Sequence, residues 1–290
     1  MVTDEKPGQC GQGNPETLAD VWEVEIKARE RLELIRRKLL VMSGKGGVGK
    51  STVAIYLALG LARRGYQVGL LDVDLHGPDI ARMLGLKGRL HMAPEGGIQP
   101  QSGPDNLKVV SIEGLLTDRD APVIWRGPMK HKAIRQFLGE VEWGQLDYLI
   151  IDSPPGTGDE PMSVAQVVAE ARAVIVTTPQ EVALADVRKA INFCRQVKLA
   201  VLGLVENMGG LICPHCGGEI HLFRQGGGRR TADTMGIPFL GTLPFDLRVM
   251  EGGDLGLPLA ESPESSPFSQ ALAALLDAVE ARCREMSQKK

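Results

Sequence analysis

Gly44-Lys45-Gly46-Gly47-Val48-Gly49-Lys50-Ser51-Thr52 fits G-x-x-x-x-G-K-[ST], the loop that wraps nucleotide phosphates. Glycines belong in such a loop because backbone N–H groups must come close to the anion. Lys50 is placed to neutralise the β- and γ-phosphates, and Ser51 to ligate Mg²⁺. Lys45 is an addition to the pattern. It follows the first glycine, where the ordinary loop accepts almost any residue. Its side chain leaves the loop while the backbone curls around the phosphates. It can therefore reach a phosphate from outside, including one held by a second copy of the chain.

Carboxylates at strand ends complete a hydrolytic set. Asp152 closes the apolar run Tyr148–Asp152, where a phosphate-loop enzyme keeps the acid that orders the water shell of magnesium. The following Pro155-Gly156-Thr157-Gly158-Asp159 has the composition of a switch loop. Gly156 lets its backbone N–H approach a γ-phosphate. Asp72 and Asp74 stand two residues apart, and so on one face, at the end of a second strand. One is expected to hold magnesium-bound water, and Asp74 is assigned to orient the attacking water. The predicted chemistry is slow Mg-ATP hydrolysis, with Lys45, Lys50, Asp74 and Asp152 as the catalytic set.

Cys213-Pro214-His215-Cys216-Gly217 is the other chemical feature, in an insertion near residues 206–228 that follows a strand expected to end near Glu206. It supplies two thiolates, whereas a [4Fe–4S] cluster or a four-cysteine zinc site needs four ligands. Three completions are open. Zinc could recruit His221 and another group, the pair could be a dithiol–disulfide switch, or a two-fold axis could join the pairs of two chains. Cys10 and Cys283 have no partner at ligand spacing, and Cys194 reads as a small core residue. Five sparse cysteines argue against a disulfide framework.

The elements that must position these groups can be read from the apolar runs. Leu39–Met42 reads as a buried strand before the loop, and Ser51–Arg64 as the helix after it. Further strands are expected at Gln67–Asp72, Leu107–Ile112, Tyr148–Asp152, Ala173–Thr178, Ala200–Val205 and Phe239–Leu243. Helices are expected at Lys130–Leu138, Val182–Val197 and Ser269–Met286, with an irregular excursion from Gly85 to Asp105. Apolar strands alternating with helices predict an α/β fold: a doubly wound, mostly parallel sheet with helices on both faces. Ligands bind beyond the carboxyl ends of such strands, and every motif above falls there.

The 290 residues divide into a disordered tail over 1–14, a charged leading helix over 15–38 and a single phosphate-loop ATPase domain over 39–290. The net charge of −3 offers no global basic field for nucleic acid. No apolar run reaches bilayer length and no hydrophobic signal core begins the chain, so a cytoplasmic protein without membrane partners is predicted. The apolar stripe Leu272, Leu275, Leu276, Val279 near the C-terminus is expected to pack on the sheet rather than on lipid.

The paired-lysine loop resembles the deviant phosphate-loop ATPases, which include MinD, ParA and the nitrogenase iron protein. Within these, five motifs in order resemble the Mrp branch, also called ApbC: 72–79, Trp-Arg-Gly-Pro-Met at 125–129, 152–159, Glu-Asn-Met at 206–208 and Cys-Pro-His-Cys-Gly at 213–217. That branch consists of iron–sulfur cluster carriers and scaffolds. The resemblance implies a homodimer in which Lys45 contacts nucleotide across the interface. It implies that Asn207 reads the adenine and that Pro244-Phe245-Asp246 lies near the base. It favours a labile [4Fe–4S] cluster shared by Cys213 and Cys216 of two chains, handed on to apo iron–sulfur proteins. A MinD- or ParA-like organising ATPase and an electron donor like the nitrogenase iron protein are the alternatives. Two departures stand out: Asp79 replaces the family's usual serine, and the N-terminal region holds only Cys10, not the four-cysteine cluster of some members.

Overall fold

The computed structural model describes residues 18–288 except 75–76, 94–96, 116–133, 136, 169, 214, 222 and 260–265. The 1–14 tail, the 125–129 motif and the first part of the Lys130–Leu138 helix therefore lie outside the described residues. Where that helix is described, Ile134, Phe137 and Leu138 are buried.

Eleven strands and eight α-helices are named below in chain order. The strands are β1 (Ile35–Ser43), β2 (Val68–Asp72), β3 (His91–Met92), β4 (Ile98–Gln99), β5 (Gln101–Ser102), β6 (Lys108–Ser111), β7 (Leu146–Asp152), β8 (Arg172–Thr177), β9 (Ala200–Ile212), β10 (Glu219–Ile220) and β11 (Phe239–Phe245). The helices are α1 (Leu18–Glu33), α2 (Lys50–Arg63), α3 (Ile80–Met83), α4 (Asp159–Val167), α5 (Glu181–Gln196), α6 (Gly227–Met235), α7 (Leu247–Leu255) and α8 (Pro267–Gln288).

Nine strands form the main sheet, in the order β10-β9-β8-β1-β7-β2-β6-β5, with β11 also paired to β9. Pairing is parallel except at β9–β10 and β5–β6. The reason is in the residues: Leu39, Leu40, Val41 and Met42 of β1 are all fully buried, as a strand covered on both faces requires. Helices α2 and α8 cover one face, with Ile55, Leu59, Leu275 and Val279 in a single core. Helices α5 and α6 cover the other, through Val187, Ala190, Ile191 and Ala232. The stripe Leu272, Leu275, Leu276, Val279 is thereby used up inside the protein. From Ile26 on, helix α1 is mostly solvated, with Ala28 and Leu32 turned inward and Ile26 exposed.

Two expectations need correction. The Gly85–Asp105 excursion is not wholly irregular, because β3 and β4 pair with each other and β5 extends the main sheet beside β6. The strand expected to stop near Glu206 runs on to Ile212. It pairs with β11 through Asn207 and again at Leu211, and it ends as one arm of a hairpin with β10. The polar Glu206 and Asn207 can sit inside this strand because each has a buried hydrogen-bond partner.

Candidate nucleotide site and cysteine hairpin

The phosphate loop leaves β1 at Ser43, whose hydroxyl donates to the Lys45 carbonyl at 2.9 Å. The same strand end is tied to the switch segment, since Gly156 N–H donates to the Ser43 carbonyl at 2.9 Å. Gly49 caps α2 in the left-handed region, with φ of 77°. A Cβ there would lie 2.2 Å from Asn207 Nδ2, so both the conformation and the space demand glycine. Gly44 is needed for close approach instead: a Cβ would fall 2.3 Å from the backbone of Asp186 on α5. Gly46 and Gly47 are exposed at the loop tip, Val48 is buried, and Ser51 and Thr52 begin the helix half-buried.

Behind the loop the carboxylates converge on Lys50. Its ammonium lies 2.6 Å from Asp152 Oδ1 and 3.7 Å from Asp74 Oδ2. Ser51 Oγ donates to Asp152 Oδ2 at 2.6 Å. Lys50, Asp74 and Asp152 are all buried, so these charges act on each other with little screening. A hydroxyl and a carboxylate meeting beside a phosphate loop are the donors a magnesium ion takes, so Ser51 and Asp152 fit that ion.

Strand β2 ends at Asp72, two residues before Asp74. Asp72 is fully buried and accepts from Ser111 Oγ at 2.9 Å and from the Asp74 backbone N–H at 3.0 Å. It pairs in register with Asp152 on the adjacent strand. Burial first, and then the Asp152 charge, push its carboxyl well above the usual carboxylate range. Burial also raises Asp152, against the pull of Lys50. Asp72 thus supports Asp74 through its backbone N–H.

Lys45 is half-buried at the outer side of the loop. Its ammonium makes no hydrogen bond or ion pair among the described residues, in contrast to Lys50. Asn207 is buried and its amide donates to the Val48 carbonyl at 3.0 Å. Met208 follows with φ of 58°, its side chain also against the space over Gly49. Pro244 ends in β11, and Asp246 caps α7, accepting from Arg248 N–H at 2.9 Å and pairing with the Arg248 guanidinium at 2.8 Å. Sequence reasoning missed Glu206 as a site residue. Its buried carboxylate accepts from Gly228 N–H at 2.5 Å and so ties α6 to the strand that leads to the cysteines. The signal was its place beside Asn207 in Glu-Asn-Met.

Cys213 directly follows β9, and the turn to β10 closes through Gly217 N–H to the Cys213 carbonyl at 2.9 Å and Cys213 N–H to the Gly218 carbonyl at 2.8 Å. The backbone N–H groups of Cys216 and His215 bond the Cys213 sulfur and, with the Cys216 side chain, lower its thiol from the ordinary value. Cys216 is exposed and Cys213 half-exposed. Among the described residues no group of three or more His, Cys, Asp or Glu side chains converges to hold a metal. His221 instead lies 2.7 Å from Gln225 Nε2. Cys194 and Cys283 are buried, as a core role predicts for Cys194.

A parallel sheet with a phosphate loop after its central strand and acids at the neighbouring strand ends defines a P-loop NTPase of the MinD-like α/β type. The family model described as ParA, NUBPL iron-transfer P-loop NTPase matches residues 34–280, and the chain belongs to that family. The iron-sulfur cluster carrier protein of Methanocaldococcus jannaschii is 42% identical over 96% of this chain and 98% of its own length. That of Saccharolobus solfataricus is 47% identical over 89% of this chain and 88% of its own. Among solved structures, a nucleotide-binding protein from Archaeoglobus fulgidus in complex with ADP is similar at 42% identity, with a TM-score of 0.73 over 85% of this chain and 95% of that one. The cell division ATPase MinD of Pyrococcus furiosus is 25% identical, with a TM-score of 0.62 over 85% and 99%.

Proposed function

We propose that this chain is a cytoplasmic, ATP-hydrolysing homodimer that holds a labile [4Fe–4S] cluster between two copies and hands it to apo iron–sulfur proteins. The observation that carries this is the Cys213–Cys216 turn. It offers one exposed and one half-exposed thiol, the latter drawn towards thiolate by backbone N–H groups, and no third ligand among the described residues. Two such turns across a two-fold axis supply the four thiolates that a cluster needs. Relatives of nearly the same length carry the name iron-sulfur cluster carrier protein, which supports the cargo.

The nucleotide site supports hydrolysis. The loop N–H groups and Lys50 bind the phosphates of ATP, and Mg²⁺, held by Ser51 and through Asp152, supplies charge neutralisation. Asp74, buried beside Lys50, orients the attacking water. Lys45, the unpaired cation at the loop's outer side, reaches the phosphates of the partner's nucleotide, so catalysis and dimerisation are one event. Asn207 stands between the loop and the cysteine strand and reads the adenine, with Pro244 and Asp246 flanking the base. The buried stripe of α8 leaves no apolar face on that helix for a MinD-like membrane anchor.

Anaerobic reconstitution with iron and sulfide tests the reading. Wild type should take up about four irons per dimer, on cluster stoichiometry, shift towards dimer, and pass the cluster to an apo-aconitase. Cys213→Ser or Cys216→Ser should lose the visible absorption while still binding ATP; Cys10→Ser, Cys194→Ser and Cys283→Ser should keep it. One tightly bound zinc per monomer and no iron uptake would replace the carrier by a zinc knuckle. A tightly held cluster that cycles in redox state without transfer would instead indicate an electron donor.

A further inference from the structure

The segment that carries the cysteine pair is basic at its surface. Between residues 181 and 235, from the start of α5 to the end of α6, there are seven lysines and arginines and five carboxylates, a net +2 in a chain whose total is −3. Of the five carboxylates, Glu206 is buried against α6 and Asp186 pairs with Lys189, leaving Glu181, Glu219 and Asp233 at the surface. All seven cations are exposed. Arg188, Lys189, Arg195 and Lys198 lie on α5 and its exit, and Arg224, Arg229 and Arg230 lie between the cysteine hairpin and the first turn of α6.

Five of the seven lie on two adjoining helices. Helices α5 and α6 pack side by side over the same sheet face. Arg195 reaches from α5 to the Met235 carbonyl at the end of α6, and Arg230 donates back to the Gln225 carbonyl at 2.9 Å. The surface is joined to the cysteines by covalent continuity through the hairpin and by the Gly228–Glu206 bond. Lys189 pairs with Asp186 at 3.0 Å; the other six cations make no ion pair among the described residues. Like charges gathered without counter-charges repel one another. Such a face steers an oppositely charged molecule in, and it does so most strongly at low salt.

We propose that the α5–α6 face docks an acidic surface of the protein that receives the cluster, setting that protein against Cys213 and Cys216. This rests on the carrier reading above. A protein fits better than a nucleic acid, because the face ends at the hairpin that must touch an acceptor.

The test uses the full chain, the apo form of an acidic [4Fe–4S] ferredoxin and duplex DNA as probes. The variant is Arg188→Glu/Lys198→Glu/Arg224→Glu, three exposed side chains outside the nucleotide and cysteine sites. Association of the cluster-free chain with apo-ferredoxin is measured first, so the result does not depend on cluster loading. Wild-type affinity should fall about tenfold as ionic strength rises from about 0.05 to 0.5 M, and the variant should already be about tenfold weaker at low salt. Cluster transfer to the ferredoxin should slow in parallel, with ATP turnover and iron content per dimer unchanged. Wild-type association in the variant, or no salt-sensitive association of the wild type, would overturn the docking face. So would a variant that loses duplex DNA while keeping ferredoxin. Failure of the wild type to load a cluster would count against the carrier reading alone, because the association assay still decides the face.

Discussion

The side-chain amide of Asn207 donates to the Val48 carbonyl at 3.0 Å, and the same nitrogen fills the space where any side chain at position 49 would begin. The strand that leads to Cys213 thus rests on the phosphate loop. Gly49→Ala is expected to abolish nucleotide binding and to cost about 1–3 kcal/mol from the left-handed backbone alone. Adding Asn207→Ala should remove the clash and recover part of the stability but none of the binding, since the backbone strain remains. Thermal unfolding and titration with a fluorescent nucleotide check both.

Lys50 and Asp152 form a buried pair at 2.6 Å. Removing one partner of such a pair leaves a buried charge alone, at a cost of about 3–5 kcal/mol. Lys50→Ala should therefore abolish ATP turnover and lower the unfolding temperature together. Lys50→Ala/Asp152→Asn should regain most of the stability and none of the turnover. Wild-type turnover in Lys50→Ala would remove the assignment of the loop.

Lys45, unlike Lys50, has no partner within its own chain among the described residues. Lys45→Ala should lose hydrolysis while keeping most nucleotide affinity, because Lys50 and the loop N–H groups remain. Asp74→Ala should also be inactive. After the two chains have exchanged, each heterodimer joins an intact Lys45 to an intact Asp74 in one of its two sites. Up to about a quarter of wild-type turnover should return, on site statistics for a two-fold dimer. No recovery in a mixture shown to exchange would confine Lys45 to its own site.

The thiols should separate by reactivity. Backbone N–H groups lower Cys213, whereas burial pushes Cys194 up to about 12 and raises Cys283. The thiolate is the species that alkylates. Iodoacetamide at neutral pH should label Cys213 first and leave Cys194 and Cys283 untouched until the protein unfolds, as read by peptide mass spectrometry. Early labelling of Cys194 would contradict the packing of α5.

Asp72 should make stability fall with rising pH. Its carboxyl is held above its unfolded value by burial and by Asp152, so the folded chain keeps a proton that the unfolded chain releases. The contribution is complete below about pH 3.9, the unfolded value, and is lost as pH rises through the folded one. Asp72→Asn carries no charge to bury. It should match wild type near pH 4 and exceed it at pH 7, as thermal unfolding at the two pH values reads. A variant less stable than wild type at pH 7 would show that the ionised carboxylate is a net support.

Much of the site was legible in the chain itself. The phosphate loop, the strand-end acid Asp152 and the Cys-x-x-Cys turn are local patterns, in which a few residues at fixed spacing suffice to define the backbone path. The apolar runs that became β1, β7 and β8 were legible too, because a strand buried on both faces admits little but apolar residues. Two things needed the assembled structure. Alternation put Asp72 and Asp74 on one face, but only the contacts of Ser111 and Lys50 show which partner each carboxylate takes. Likewise, Glu206 and Asn207 looked like the end of a strand, because polar side chains are costly inside a sheet unless bonded. Their partners, Gly228 N–H and the Val48 carbonyl, lie 22 and 159 residues away in sequence. Spacing along the chain cannot specify such distant partners; tertiary packing brought them together and carried β9 on to the cysteines.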